Sequence, residues 1–150
     1  MTANEYWNQY LSKTGQNAED TVFSGELCFE NAGLVGETQL ALVLSGKKTA
    51  VFTPFEAFAI NREPLPVVGE VYIAEDADGN PHGIVEITGV QVLEFCEITW
   101  EMAMREGEDA SFDDWKEKQR EYMQEEADLC GFDFNDGSRV VFETFRLIYK

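Results

Sequence analysis

The segment LSGKKTAVFTPFE, residues 44 to 56, sets two adjacent lysines, Lys47 and Lys48, directly behind a glycine of the kind that stops helices. Between residues 14 and 104 the only basic side chains are Lys47, Lys48 and Arg62, so any cationic chemistry in that stretch is built from these three. A lysine works as a base or nucleophile when burial or a neighbouring cation lowers its pKa, by up to ~3 to 5 units when burial is complete. Lys48 falls between an apolar helix and a strand, a setting for burial, and Lys47 is the neighbouring cation. The plainer reading gives Lys47 a structural role, since a cation at a helix C-terminus contributes ~0.3 to 1 kcal/mol.

Other reactive side chains offer less. Cys28, Cys96 and Cys130 are an odd number with neither disulfide-framework nor CxxC metal spacing, and they are expected as buried free thiols. The single histidine, His82, sits in the turn-rich DGNPHG, so neither a metal site nor a catalytic triad is expected, and no cofactor is implied. The formal net charge is −18, and residues 101 to 136 hold 13 Asp or Glu against four Lys or Arg. A solvated acidic helix face accounts for that run. Affinity for a nucleic-acid backbone comes from clustered positive charge, so binding to long nucleic acid should be weak. The opening MTANEYWNQY has neither a basic start nor an apolar run, and no stretch reaches the ~20 apolar residues of a membrane span. A cytoplasmic protein is expected, with no membrane partner.

These residues must be positioned by local structure that the pattern outlines. The 150 residues fit one domain, 1–150, with a core of its own. Tyr6, Trp7, Tyr10 and Leu11 mark a short amphipathic helix ending near Gly15, and TVFSGELCF reads as a strand. Residues 34 to 45 predict a helix stopped at Gly46, and Lys48 to Thr53 a strand. Thr53-Pro54-Phe55-Glu56 has the form of a capping box opening another helix. A strand at 70 to 75, a tip around Asp78-Gly79 and a strand from 83 to 95 predict a hairpin. Thr99 and Ser111 are N-caps for helices closed by Gly107 and Gly131, and the second carries the stripe Trp115, Gln119, Tyr122, Glu126, Leu129 on its inward face. Alternation from Ser138 to Lys150 predicts a long final strand. Without a regular βαβ rhythm, this order favours an α+β fold with a small mixed sheet or barrel.

ETQLALVLSGKKTA, the segment Pro66-Val67-Val68-Gly69-Glu70, EITWEMAMREGED and SFDDWKEKQREY occur in an order that resembles the ASCH domain, named for activating signal cointegrator homology. The resemblance runs over nearly the whole chain, and its most specific parts are the helix-Gly-Lys-Lys-Thr junction and the A..EGE..S...W block. It implies a PUA-like fold, a small mixed β-barrel flanked by helices, related to domains that handle RNA and modified bases. Some small ASCH proteins are amidohydrolases acting on N4-acetylcytidine. The resemblance carries their lysine onto Lys48 and their glutamate onto Glu106, while the position of their threonine, three beyond the lysine, is Val51. Valine has no hydroxyl to attack a carbonyl or relay a proton.

The expected site therefore centres on Lys48 and Glu106. Lys47, Thr49, Phe52, Thr53, Phe55, Arg62 and Trp115 are the candidate ligand-binding residues, the aromatics offering stacking surface to a base. The same aromatics are equally suited to a core, and Lys48 and Glu106 to an ion pair that only closes the barrel. Three functions compete: a pocket for a modified nucleoside with acyl-amide hydrolase activity, a non-catalytic RNA-binding module, and RNA cleavage in the same cleft.

Overall fold

The computed structural model describes residues 1–16, 23–28 and 34–150 of the protein. Five helices and five strands are present among them: α1 (Ala3–Thr14), β1 (Gly25–Cys28), α2 (Leu34–Leu44), β2 (Ala50–Pro54), α3 (Phe55–Ile60), β3 (Val71–Glu75), β4 (Pro81–Glu94), α4 (Trp100–Ala103), α5 (Phe112–Cys130) and β5 (Arg139–Tyr149). Two 3-10 turns, Phe95–Glu97 and Met104–Glu106, flank α4. The expected strand at TVFSGELCF is found at β1, and Thr21, Val22 and Phe29 lie outside the described residues.

The sheet order is β1-β3-β4-β5-β2. β3, β4, β5 and β2 pair antiparallel and make a curled half-barrel, to which β1 adds a parallel edge along β3. The β3–β4 hairpin has a local cause. The Asp76 carboxylate accepts from the N–H groups of Asp78 and Asn80 at 2.9 and 3.0 Å, and His82 Nε2 lies 2.8 Å from its other oxygen. Those bonds, His82 foremost, pull the Asp76 pKa down to about 2.

Alternation along β2 divides its side chains between two faces. Ala50 and Phe52 join Leu93, Phe95, Val140, Phe142, Trp115 and Met123 in the largest core cluster, under α4 and α5. Phe52 stacks on Phe142 at 4.8 Å and meets the Trp115 ring edge-on at 5.1 Å. Val51 packs instead with Val43 of α2 and with Val85, Ile87 and Phe145 on the opposite face. A third cluster seats Tyr6, Trp7, Tyr10 and Leu11 of α1 on Ile73 and Ile84.

Three expectations are corrected. Thr53 is no N-cap: it pairs with Val141 inside β2, and α3 starts at Phe55 behind Pro54 with no side-chain cap. On α5 the buried residues are Trp115, Met123 and Ala127, whereas Tyr122 is exposed and Leu129 is 81% exposed. A row of every fourth residue is inclined to the helix axis, and α5 crosses the sheet along such a row in place of a coiled-coil seam. Cys96 is exposed and Cys130 half-buried, and the Cys28 side chain lies outside the described ones. Among the described residues no helix is long and apolar enough to cross a membrane.

The corrected stripe can be measured. Met123→Ala should cost about 2 to 5 kcal/mol in urea denaturation and Leu129→Ala less than about 0.5. Equal losses would restore the seam that the spacing suggested.

Candidate functional site

Lys48 is aimed by the end of α2. Gly46, at φ +80°, takes the left-handed conformation just beyond the helix; its N–H donates to the Val43 carbonyl at 3.1 Å and the Lys47 N–H to the Leu42 carbonyl at 3.0 Å. This two-bond closure reverses the chain and satisfies carbonyls the helix leaves open. Lys47 is left exposed, and the Lys48 side chain turns inward, 5% exposed. Thr49 fastens the junction to the segment that carries Glu106: its N–H donates to the Arg105 carbonyl at 2.7 Å, and its Oγ1 accepts from Arg105 Nε at 3.1 Å.

Glu106 ends the second 3-10 turn and is 6% exposed. Lys48 Nζ donates to its Oε2 at 3.1 Å, while Trp115 Nε1 and Gln119 Nε2 donate to its Oε1 at 3.2 and 2.9 Å. The two charges thus meet across 58 residues of sequence, and the carboxylate collects three donors. Glu108 Oε1, in a partly exposed side chain, lies 3.9 Å from Lys48 Nζ. Burial pushes the Glu106 carboxyl up from its ordinary range, and the Lys48 ammonium and the Trp115 N–H pull the other way. A buried carboxyl shifted by desolvation and paired with a specific cation has the surroundings found at acid–base sites.

Gly107 permits the meeting. Its φ of +78° suits glycine, and a Cβ there would stand 2.5 Å from the Lys47 carbonyl oxygen. The loop carrying Glu106 rests directly on the backbone of the lysine pair.

The other face of β2 borders a second feature, a cavity of about 290 Å³ walled in part by Val51, Val85, Ile87 and Phe145. Thr53, Tyr72, Glu63 and Glu143 supply its polar groups. Glu143 stands between Val51 of β2 and Val90 of β4 in the register, and no described residue hydrogen-bonds or ion-pairs with its carboxylate. Burial, aided by the nearby Glu70 carboxylate, raises its pKa to about 7. Burial also raises the Tyr72 phenol, with Glu70 and Glu143 adding to it.

The expected residues therefore divide. Lys48, Glu106 and Trp115 form one network, with Thr49 and Lys47 bracing it through the backbone. Phe52 is core. Thr53 lines the cavity, with Val51 beside it on the same face. Phe55 lies under the Arg139 guanidinium at 4.2 Å, and Arg62 is exposed in the turn after α3; neither lines the cavity or bonds to the pair. Gln119, Tyr72 and Glu143 are additions. Gln119 had one sequence signal, a polar residue interrupting an apolar stripe, and Glu143 had the same one, an acid between Val141 and Phe145 in the alternation of β5.

A curled antiparallel half-barrel joined to helices through a Gly-Lys-Lys-Thr junction is a recognisable class of domain. The family model described as "ASCH domain" matches residues 27–149, and the chain belongs to that family. It is similar to the crystal structure of an ASCH domain from Lactobacillus crispatus JV V101, at 26% identity and a TM-score of 0.83, covering 98% of this chain and 94% of that one. A protein from Enterococcus faecalis V583 shares the fold at 22% identity and a TM-score of 0.83, covering 97% of this chain and 87% of that one. No curated protein matches the chain.

Two measurements check the geometry. Gly107→Ala should lose about 2 kcal/mol or more, since it adds a clash to backbone strain, whereas Gly131→Ala, at φ +83° with open space around it, should lose about 1. A similar cost for both would mean that the loop does not rest on Lys47. Glu143 gives a pH signature. Its folded pKa of about 7 lies above the ordinary 4.5, so the folded protein keeps a proton that the unfolded chain has lost. Its contribution to stability is greatest below pH 4.5 and falls as the pH rises to about 7. Thermal melts from pH 5 to 8 should show Glu143→Gln losing less stability than the parent over that interval.

Proposed function

We propose that the protein binds a modified nucleoside or a single RNA base and hydrolyses an acyl group from its exocyclic nitrogen, with Lys48 and Glu106 as the acid–base pair. The observation that carries this reading is the buried contact of 3.1 Å between them, with the carboxylate oriented by Trp115 and Gln119. In this reading water attacks the acyl carbon, because Val51 offers no hydroxyl and the Thr49 hydroxyl is held by Arg105. The pair takes the proton from water and returns it to the departing amine, giving the free base and a carboxylate. Lys48, as a cation, also stabilises the oxyanion of the tetrahedral intermediate. The partly exposed Glu108 beside Lys48 is the side from which a ligand would approach.

A free nucleoside is neutral, so the net charge of −18 does not oppose its binding as it opposes a polyanion. ASCH domains are generally associated with RNA, and non-catalytic RNA binding is the competing reading. It would have to use Lys47, Arg62, Arg139 and Arg146, of which Arg139 and Arg146 already face Glu56 and Glu86.

The purified protein should release cytidine from N4-acetylcytidine, followed by chromatography, and Lys48→Met should reduce that release at least about a hundredfold. Release no faster than in the Lys48→Met sample would sink the hydrolase reading. Tight, salt-sensitive RNA binding without turnover would favour the competing one.

A further inference from the structure

We infer that the cavity between α5 and the 3-10 turn Phe95–Glu97 is a binding site for a small organic carboxylate, an apolar body whose single anionic group is held by Lys116 and Arg120. The cavity shares no lining residue with the Lys48–Glu106 pair, and the inference stands apart from the proposed hydrolysis.

Sign of charge is the first observation. In a chain of net charge −18, this cavity of about 230 Å³ is lined by two cations and no acid, together with Phe95, Cys96, Ile98 and Phe112. The recess beside Val51 has Glu63 and Glu143 in its wall, and a groove farther along α5 sets four acids against Arg120.

The second is that the cations are already placed. Lys116 and Arg120 are four residues apart on α5, so they project side by side. Each is held against a ring of the cavity: Lys116 Nζ is 4.4 Å from the centre of Phe112, and Arg120 Cζ is 5.5 Å from that of Phe95. The facing wall is fixed through its backbone, since the Phe95 and Cys96 N–H groups donate to the Ser138 and Asp136 carbonyls at 2.9 Å each. A ligand therefore meets charges in position, and less freedom is lost on binding.

Existing partners leave donors open. Arg120 engages Asp136 through Nη2, at 3.3 and 3.4 Å from its two oxygens, and no described residue hydrogen-bonds to its Nε or Nη1. Lys116 Nζ is 3.7 Å from an Asp113 oxygen whose side chain is 95% exposed. Exposed pairs of this kind contribute about 0 to 1 kcal/mol, so a ligand carboxylate can share or displace them.

Surrounding acids narrow the class of ligand. Asp113 and Asp136 face the cations, and the Glu94 and Glu97 carboxylates add to desolvation in raising the Cys96 thiol. Against that field a phosphate dianion is repelled about twice as strongly as a carboxylate. A planar carboxylate also fits the flat guanidinium fork. Phe95, Ile98 and Phe112 offer surface to an apolar body, and the volume, below the ~300 to 1,000 Å³ of drug-sized pockets, suits a single ring.

Benzoate, benzamide, acetate and phenyl phosphate can each be titrated into the full-length protein and followed by NMR at the Arg120 side chain. Benzoate should bind about tenfold more tightly than benzamide, which lacks the charge, and than acetate, which lacks the ring. Its affinity should fall with added salt. Arg120→Gln should weaken benzoate about tenfold, and Lys116→Gln should weaken it less. Cys96 supplies a readout in the unsubstituted protein: saturating benzoate should slow its alkylation by iodoacetamide, read by mass spectrometry, while the half-buried Cys130 keeps its rate. Absence of benzoate binding would overturn the inference, as would benzamide binding equally well, phenyl phosphate binding more tightly, or an Arg120→Gln variant with the parent's affinity. Cys96 alkylation unchanged at saturating benzoate would overturn it even if every variant failed to fold.

Discussion

A lysine and a glutamate withdrawn from water on opposite sides of a chain crossing constrain this structure more than any other contact. Each buried ion costs several kcal/mol in lost hydration, and attraction repays that only when the geometry is good and the remaining hydrogen-bonding capacity is met. Here the carboxylate has three donors, and Trp115 supplies one while also filling the centre of the largest core cluster. Moving α5 would therefore cost packing and strip the carboxylate of two of its three donors together. The turn after α2, the bonds between Thr49 and Arg105 and the bare backbone at Gly107 all serve one result, holding two distant segments close enough for the pair to form.

Much of this framework was legible in the residues because it follows local rules. Thr99 and Ser111 cap their helices by accepting from Met102 and Asp114, and Gly46, Gly107 and Gly131 close theirs in the left-handed conformation. Alternation marked β5, and the motif order marked the family. Thr53 was misleading because the same four residues can open a helix or end a strand, and only pairing with β5 decides. The stripe on α5 was misread because composition does not reveal the angle at which a helix crosses a sheet. Glu143 was only half legible: the alternation sets it between Val141 and Phe145 on one face of β5, and only the register adds Val51 and Val90 beside it.

Val51 changes meaning once the two faces of β2 are distinguished. As a missing hydroxyl it counted against catalysis. In the fold it belongs with Thr53 to the wall of the cavity, while Ala50 and Phe52 face the cluster that holds Trp115. One strand thus separates a buried, charge-paired site, open only beside Glu108, from a small apolar recess with an unpaired acid. The threonine released from capping lies on the recess side.

The position of β5 in the sheet has a consequence for how the molecule comes into being. This strand lies between β4 and β2, and Ala50 waits for Thr144, about ninety residues later, before its pairing can exist. Emerging from a ribosome, α2, the lysine pair and the β3–β4 hairpin are all made before the strand that joins them. A topology so dependent on distant contacts pays its loop-closure entropy before any of the reward arrives. Until β5 docks, β2 has no sheet partner among the described strands, and the two faces that separate the ion pair from the recess do not yet exist.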